Sequence, residues 1–211
     1  MPSKTNEQAL ENCIEQALTG QSTTAQPDSG DTAQLGESEM PYAAASHYIS
    51  GAPEDFNARY AIDERLFWEF LEKTHEEELD KLKRYSDYRQ KIIDRYDNIV
   101  KRYGQLYVFN NGLDVDDAHF DMMFPAPPAN SSKAAQKNFA SNVFSMTRQV
   151  HYNQDRPHES IDIVLFINGL PFAGMELKNA WTGQTARLHG QHQYMHDRDI
   201  KQPLLQFGRC L

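Results

Sequence analysis

An α/β fold is what this sequence predicts, on three observations. From Ile161 to Ile167 the chain is apolar on both faces and rich in β-branched residues, as a strand buried on both sides of a sheet requires. Asn168-Gly169 follows directly, a strong hairpin signal, and the chain returns through Leu170 to Lys178 as a second strand. Around this hairpin lie stretches with helical periodicity, notably Thr5 to Leu18 and Glu76 to Tyr103.

Composition sets the outer limits. A chain of 211 residues can bury a core in one domain, or in one domain with an appendage, and 39% hydrophobic with 24% charged residues is ordinary for a soluble globular protein. No run is long enough to span a membrane, and Met1 to Gln8 lacks the apolar region of a secretory signal. Two cysteines, Cys13 and Cys210, make no disulfide framework and fit a reducing, cytoplasmic setting. The net charge of -9 argues against a chain that clings to nucleic acid through its overall field. Distribution matters more: acidic residues crowd Glu54 to Asp121, whereas the stretch after Ser141 is close to balanced.

In chain order, Thr5 to Leu18 reads as an amphipathic helix with Ala9, Leu10, Cys13, Ile14, Ala17 and Leu18 on its buried face and Gly20 as its stop. Glu7, Glu11 and Glu15 run along its polar side, where solvated surface is the simplest reading. Gln21 to Met40 has almost no large apolar residue and reads as a mobile loop. Asp63 is placed to cap a helix through Leu66, Phe67, Phe70 and Leu71. Glu76 to Tyr103 reads as one long helix, ended by Gly104, with a solvated charged face.

Leu106 to Phe109 and Phe120 to Phe124 are strand-like, with Asn110-Asn111-Gly112 and Asp114, Asp116 and Asp117 between them. Those aspartates lack the glycine and terminal glutamate of an EF-hand. After the stiff Pro125 to Pro128, a helix is expected from Ser131 to Ser141 and a strand from Val143 to Tyr152, leading into the hairpin. Beyond it, Thr185 to Asp197 reads as a helix with His189, His192 and His196 on one face; a zinc site there would need further ligands, so a polar helix face is preferred. Pro203 to Leu211 reads as a strand barely begun.

The only charges in the hairpin block are Asp162, Glu176 and Lys178. A two-residue turn would pair Asp162 with Met175, whereas a three-residue loop, or a bulge at Gly174, pairs Asp162 with Glu176 and puts Lys178 on the same face. We expect the second register. Two carboxylates about 4 Å apart repel by roughly 4 kcal/mol at an effective dielectric near 20, so the pair needs a cation or a shared proton. Oxygen ligands point to Mg²⁺, and two carboxylates with a lysine suit metal-assisted phosphodiester hydrolysis. Glu-x-Lys alone arises about once by chance in such a chain. The competing reading is a strand-end ion pair between Lys178 and a carboxylate.

Several blocks together resemble a family: Phe144 to Tyr152, Ser160 to Gly169, Met175 to Asn179, Thr182 to Thr185, Gln193-Tyr194 with Asp197 to Asp199, and Pro203 to Phe207, with Tyr60 to Asp63 and Phe67 to Thr74 before them. They are similar to the N-terminal endonuclease region of the R (restriction) subunit of type I restriction enzymes. The resemblance implies a PD-(D/E)xK restriction-endonuclease-like core, a mixed central sheet flanked by helices with an inserted helical segment, its last strand cut short. It implies Asp162, Glu176 and the Leu177 carbonyl as Mg²⁺ ligands and Lys178 as the catalytic lysine. An acidic residue of the first helix, Glu11 with Glu7 in reserve, would join them. The family's Gln-x-x-x-Tyr motif keeps Tyr194 here, but Gly190 stands at the glutamine position with Gln191 one step away; Gln184, Gln191 and Tyr194 are the DNA-contacting or scaffold candidates.

On this reading residues 1–20 are the first helix of the nuclease domain, 21–41 a flexible loop, 42–124 a helical and hairpin segment, and 125–211 the nuclease core. No Gly-x-x-x-x-Gly-Lys-Ser/Thr loop occurs, so ATP binding and translocation would lie in motor domains outside this sequence, which reads as a fragment of the subunit. The implied partners are double-stranded DNA and the methylation and specificity subunits, with no membrane, and the implied activity is that of a type I site-specific deoxyribonuclease. The alternative is a catalytically inactive remnant, or an assembly or DNA-binding module.

Overall fold

A computed structural model describes residues 4–20, 48–177 and 198–209, with side chains from residue 8 onward in the first stretch. The chain opens with α1 (Lys4–Thr19), β1 (Ile49–Ser50), a 3₁₀ turn, β2 (Phe56–Asn57) and β3 (Ile62–Asp63). It continues through α2 (Glu64–Thr74), α3 (Glu76–Leu82), α4 (Tyr88–Tyr103), α5 (Gln105–Asn111) and the small hairpin β4 (Leu113–Val115) and β5 (Ala118–Phe120). The last elements are α6 (Lys133–Ala140), β6 (Phe144–His151), β7 (Ser160–Ile167), β8 (Leu170–Met175) and a 3₁₀ turn at Pro203–Leu205. The fold is mixed α/β: one four-stranded sheet runs β1-β6-β7-β8, with β1 parallel to β6 and the other pairs antiparallel.

Two apolar cores lie against this sheet. The larger gathers Phe67, Phe70 and Leu71 of α2, Leu79 and Leu82 of α3, and Ile92, Tyr96 and Val100 of α4 with Leu170 of β8. Its burial of so many large side chains, each contributing about 1.5–3 kcal/mol, explains why the helical segment docks on the hairpin tip. The smaller core holds Val150, Tyr152, Ile161, Val164, Phe166 and Leu204.

Four expectations are corrected. The stretch from Glu76 to Tyr103 is two helices, not one. A continuous helix would carry Ser86 and Arg89 onto the stripe of Leu82 and Ile93, so the chain turns at residues 83–87, where Lys91 and Arg84 lie over the Tyr85 ring. Leu106 to Phe109 is helical, within α5: Val108 and Phe109 are buried while Leu106 is 66% exposed, and Tyr103 stacks on Tyr107 one turn away. The expected strand from Phe120 to Phe124 is only the end of β5, and the chain leaves the hairpin after Phe120. Residues 203–209 form turns rather than a strand, because Pro203 has no N–H to give a ladder and Phe207 and Gly208 both take positive φ. The expected loop from Gln21 to Met40 and the expected helix from Thr185 to Asp197 lie outside the described residues.

Asp63 is the expected N-cap of α2, its Oδ1 accepting from the Leu66 N–H at 2.9 Å. The residue is 1% exposed, and its Oδ2 has no partner among the described residues. Burial pushes its carboxyl up to about 6, against the Leu66 hydrogen bond that pulls it down. Since the folded value lies above the unfolded one, the native state binds the proton more tightly. The resulting stability is fully present below about pH 4 and is lost as pH rises through 6, about 2–3 kcal/mol in all. Asp63→Asn keeps an acceptor for Leu66 and cannot ionise. We expect its urea midpoint to gain on the wild type's as pH rises from 4 to 7; parallel profiles would show that Asp63 ionises at no cost.

Candidate nuclease site

The register of the central hairpin sets the site. Asn168 and Gly169 take φ +54 and +77, the positive pair that a two-residue type I′ turn needs, and Ile167 pairs with Leu170. The three-residue loop is therefore not formed. The ladder then shifts: Phe166 pairs with Pro171 but Leu165 with Ala173, leaving Phe172 as the extra residue of a bulge. That bulge lies at Phe172 rather than at the expected Gly174. Ile163 pairs with Met175, the last pair of the ladder, so Asp162 and Glu176 each stand one residue beyond it.

Past Met175 the strand leaves the ladder. Leu177 donates its N–H to Asp162 Oδ2 at 2.7 Å, so the carboxylate takes the place of a backbone partner. The Glu176 carboxylate meets the Arg198 guanidinium; both side chains are nearly buried, at 5% and 7% exposure. Arg198 also donates to the Ser160 carbonyl at 2.7 Å and lies over the Tyr152 ring, 5.3 Å from its centroid. It thus ties the start of β7 to the end of β8. Lys178, Gln184, Gln191, Tyr194 and the three histidines lie outside the described residues.

α1 approaches this site with a face opposite to the one expected. Leu10 and Cys13 are exposed, whereas Glu11 is only 6% exposed. Arg148 of β6 explains the reversal. Its guanidinium donates from Nε and Nη2 to Glu11 Oε2 at 3.0 and 2.7 Å, and from Nη1 to Glu15 Oε2 at 3.0 Å and Asn12 Oδ1 at 2.7 Å. A forked, charge-assisted contact of this kind outweighs what half-covering a leucine would yield. The Ser50 hydroxyl, donating to Glu15 at 2.5 Å, and Arg148 hold the Glu15 carboxyl below its usual range, against the burial that raises it.

Glu11 and Asp162 are joined through one side chain. Gln149 Nε2 donates to Glu11 Oε1 at 2.9 Å and to Asp162 Oδ1 at 3.3 Å. Arg148, Gln149 and Arg198 were not singled out from the sequence. The available signal was modest: an arginine and a glutamine inside a strand that also holds Ser145 and Thr147, and an arginine in a charged cluster before Pro203. Among the described residues no three His, Cys, Asp or Glu side chains gather into a metal-holding group. The loop aspartates are each paired singly, Asp114 with His119, Asp116 with Lys91 and Asp117 with Arg84. None of the described helices is long and apolar enough to cross a membrane.

Residues 131–209 match the family of the type I restriction enzyme R protein N terminus. The matched stretch holds α6, β6, β7, β8 and the 203–205 turn, and so contains Asp162, Glu176, Leu177, Gln149 and Arg198. α1, with Glu11, and the helical segment from α2 to α5 lie outside it. The blocks from Phe144 to Phe207 that carry the resemblance read from the sequence fall in this stretch, whereas Tyr60 to Asp63 and Phe67 to Thr74 fall outside it. No curated protein and no solved structure matches the chain.

Proposed function

We propose that this chain is the nuclease part of a type I restriction enzyme R subunit, with a PD-(D/E)xK-type core that hydrolyses DNA phosphodiester bonds with Mg²⁺. The observation that supports the proposal is the end of the β7–β8 hairpin, where Ile163 pairs with Met175 and the Leu177 N–H reaches the Asp162 carboxylate, inside the matched segment. Asp162, Glu176 and the Leu177 carbonyl would hold the cation, with Glu11 beside them. An all-oxygen set with few protein ligands suits Mg²⁺, which keeps several waters and demands no cage. When bound, Mg²⁺ polarises the phosphoryl oxygen and makes an attacking water more acidic.

The protein's own groups do the rest. Leu177 N–H and Gln149 fix the orientation of the Asp162 carboxylate. Arg198 offsets the Glu176 charge, which lets that side chain stay nearly buried. Lys178, next after Leu177 in sequence, would orient the water and stabilise charge building on the phosphoryl group. Tyr194, Gln191 and Gln184 would serve the DNA or the scaffold. In the full subunit, hydrolysis of double-stranded DNA would be coupled to ATP-driven translocation by motor domains and to the methylation and specificity subunits, in the cytoplasm.

One observation favours the second reading, an inactive remnant or assembly module. Glu176 is engaged by a buried arginine, and no third carboxylate joins it among the described residues. Titration calorimetry separates the two. With circular dichroism showing both proteins folded, Mg²⁺ should bind the wild type at millimolar concentrations or below and bind Asp162→Ala at least tenfold more weakly. A folded wild type with no Asp162-dependent binding, with or without duplex DNA present, would sink the nuclease reading.

A further inference from the structure

β6 and β7 pair regularly on both sides of one position. Arg148 is level with Ile163 and Val150 with Ile161, while between them Gln149 takes φ +50. Residues other than glycine seldom take this left-handed conformation, and in the middle of a strand it persists only where the surroundings impose it. The side chain shows what imposes it. Its Nε2 donates to Glu11 at 2.9 Å and to Asp162 at 3.3 Å, and its Oε1 accepts from Ser160 Oγ at 2.8 Å. An amide nitrogen carries two hydrogens. Here both go to carboxylates, one from α1 and one from β7.

We propose that Gln149 is a positioning residue of the metal site, holding the Glu11 and Asp162 carboxylates in one arrangement so that a divalent cation meets oxygens already oriented. The proposal rests on the nuclease reading and adds to it a residue whose role is neither ligand nor acid–base group. Each oxygen of these two carboxylates takes a specific donor. Asp162 Oδ1 has the Gln149 amide and Oδ2 the Leu177 N–H; Glu11 Oε1 has the amide and Oε2 the Arg148 guanidinium. Neither group can rotate without breaking a bond; both Asp162 oxygens and Glu11 Oε1 retain a second lone-pair direction for a hard cation, whereas Glu11 Oε2 already accepts twice from Arg148.

The residue type follows from the charge. A lysine or arginine at 149 would bring a positive charge that competes with the cation, and a glutamate would add a third negative charge and no donor. A neutral amide orients both acids without adding to the positive charge that Arg148 already sets against Glu11. Second partners of this kind typically change metal affinity by about 10–100-fold when removed.

The test is Mg²⁺ titration calorimetry on the 211-residue chain, with thermal unfolding in the absence and presence of Mg²⁺, for wild type, Gln149→Ala, Gln149→Glu and Asp162→Ala. Gln149→Ala should raise the Kd for Mg²⁺ at least tenfold. Gln149→Gly, for which φ +50 carries no steric penalty, bears the same expectation if the alanine variant does not fold. Gln149→Glu should unfold at a lower temperature than wild type without metal, and gain more from Mg²⁺ than wild type does. A residue serving only the fold would shift the metal-free midpoints and leave Kd and the Mg²⁺-induced gain unchanged, and that result overturns the proposal. If Asp162→Ala binds as wild type does, the nuclease reading has failed and this proposal with it. If Asp162→Ala loses binding while Gln149→Ala and Gln149→Gly keep the wild-type Kd, the role of Gln149 alone has failed.

Discussion

Gly169→Ala is expected to destabilise the domain by about 2–5 kcal/mol, a large share of the usual total of about 5–15 kcal/mol. Two costs combine. At φ +77 a side chain meets its own backbone, worth about 1–2 kcal/mol. The added Cβ would also lie 2.4 Å from the Asp63 carbonyl oxygen and 2.5 Å from the Phe67 nitrogen. Both neighbours are backbone atoms at the start of α2, so no rotamer change relieves the overlap, which adds about 1–3 kcal/mol or more. Asn168→Gly is the informative control. It eases the φ of +54 but removes the side chain that donates to the Met122 carbonyl at 3.0 Å and accepts from the Val143 N–H at 2.7 Å. Urea unfolding followed by circular dichroism measures both, and a Gly169→Ala cost below about 1 kcal/mol would show that α2 does not seat on the turn as described.

This turn explains why the hairpin was the most legible part of the sequence. Asn168-Gly169 is bounded by apolar runs on both sides, and local chemistry alone dictates a turn there. What local chemistry could not dictate was the route to the register. A two-residue turn by itself would set Asp162 opposite Met175; the bulge at Phe172 shifts the ladder so that Ile163 faces Met175 instead, and Phe172 packs against the larger core. The Asp63 cap and the strand now seen as β6 were legible for the same local reasons.

Elsewhere tertiary contacts overrode pattern. Leu106 to Phe109 has strand composition, but Gln105 accepts from the buried Tyr96 hydroxyl at 2.8 Å and Gly112 ends a single short helix. The face of α1 was misread because apolar periodicity was weighed without Arg148, more than a hundred residues away in sequence, which draws Glu11 and Glu15 inward. Of the candidate site, Asp162 and Glu176 drew notice because charges in an apolar hairpin stand out. Gln149 and Arg198, which bond to these carboxylates, did not stand out, since a single polar residue reads the same whether it faces water or a carboxylate.

Asp97→Ala is expected to cost about 3–5 kcal/mol although Asp97 lies far from the site in sequence. Its Oδ1 accepts from Arg209 Nη2 at 2.8 Å, and Arg209 is 0% exposed, the largest fully buried side chain among the described residues. The guanidinium also donates to the Pro203 carbonyl at 3.1 Å and lies 5.8 Å from the centre of the Tyr96 ring, while its Nε has no partner among the described residues. Removing the carboxylate leaves a charge that water cannot reach, and breaking one side of a buried pair carries a penalty of this size. Lys101, the other cation on Asp97, is half exposed at 2.5 Å, so Lys101→Ala should change stability by no more than about 0.5 kcal/mol. The contrast has a structural consequence. The segment that ends the matched region is held to α4 by Arg209 and to α5 by the Gln105 N–H on the Phe207 carbonyl at 2.8 Å, and the same segment carries Arg198 to Glu176. Proteolysis between residues 198 and 209 should therefore accelerate in Asp97→Ala and stay at the wild-type rate in Lys101→Ala. Equal rates in the two variants would mean that the Asp97–Arg209 pair does not hold the segment.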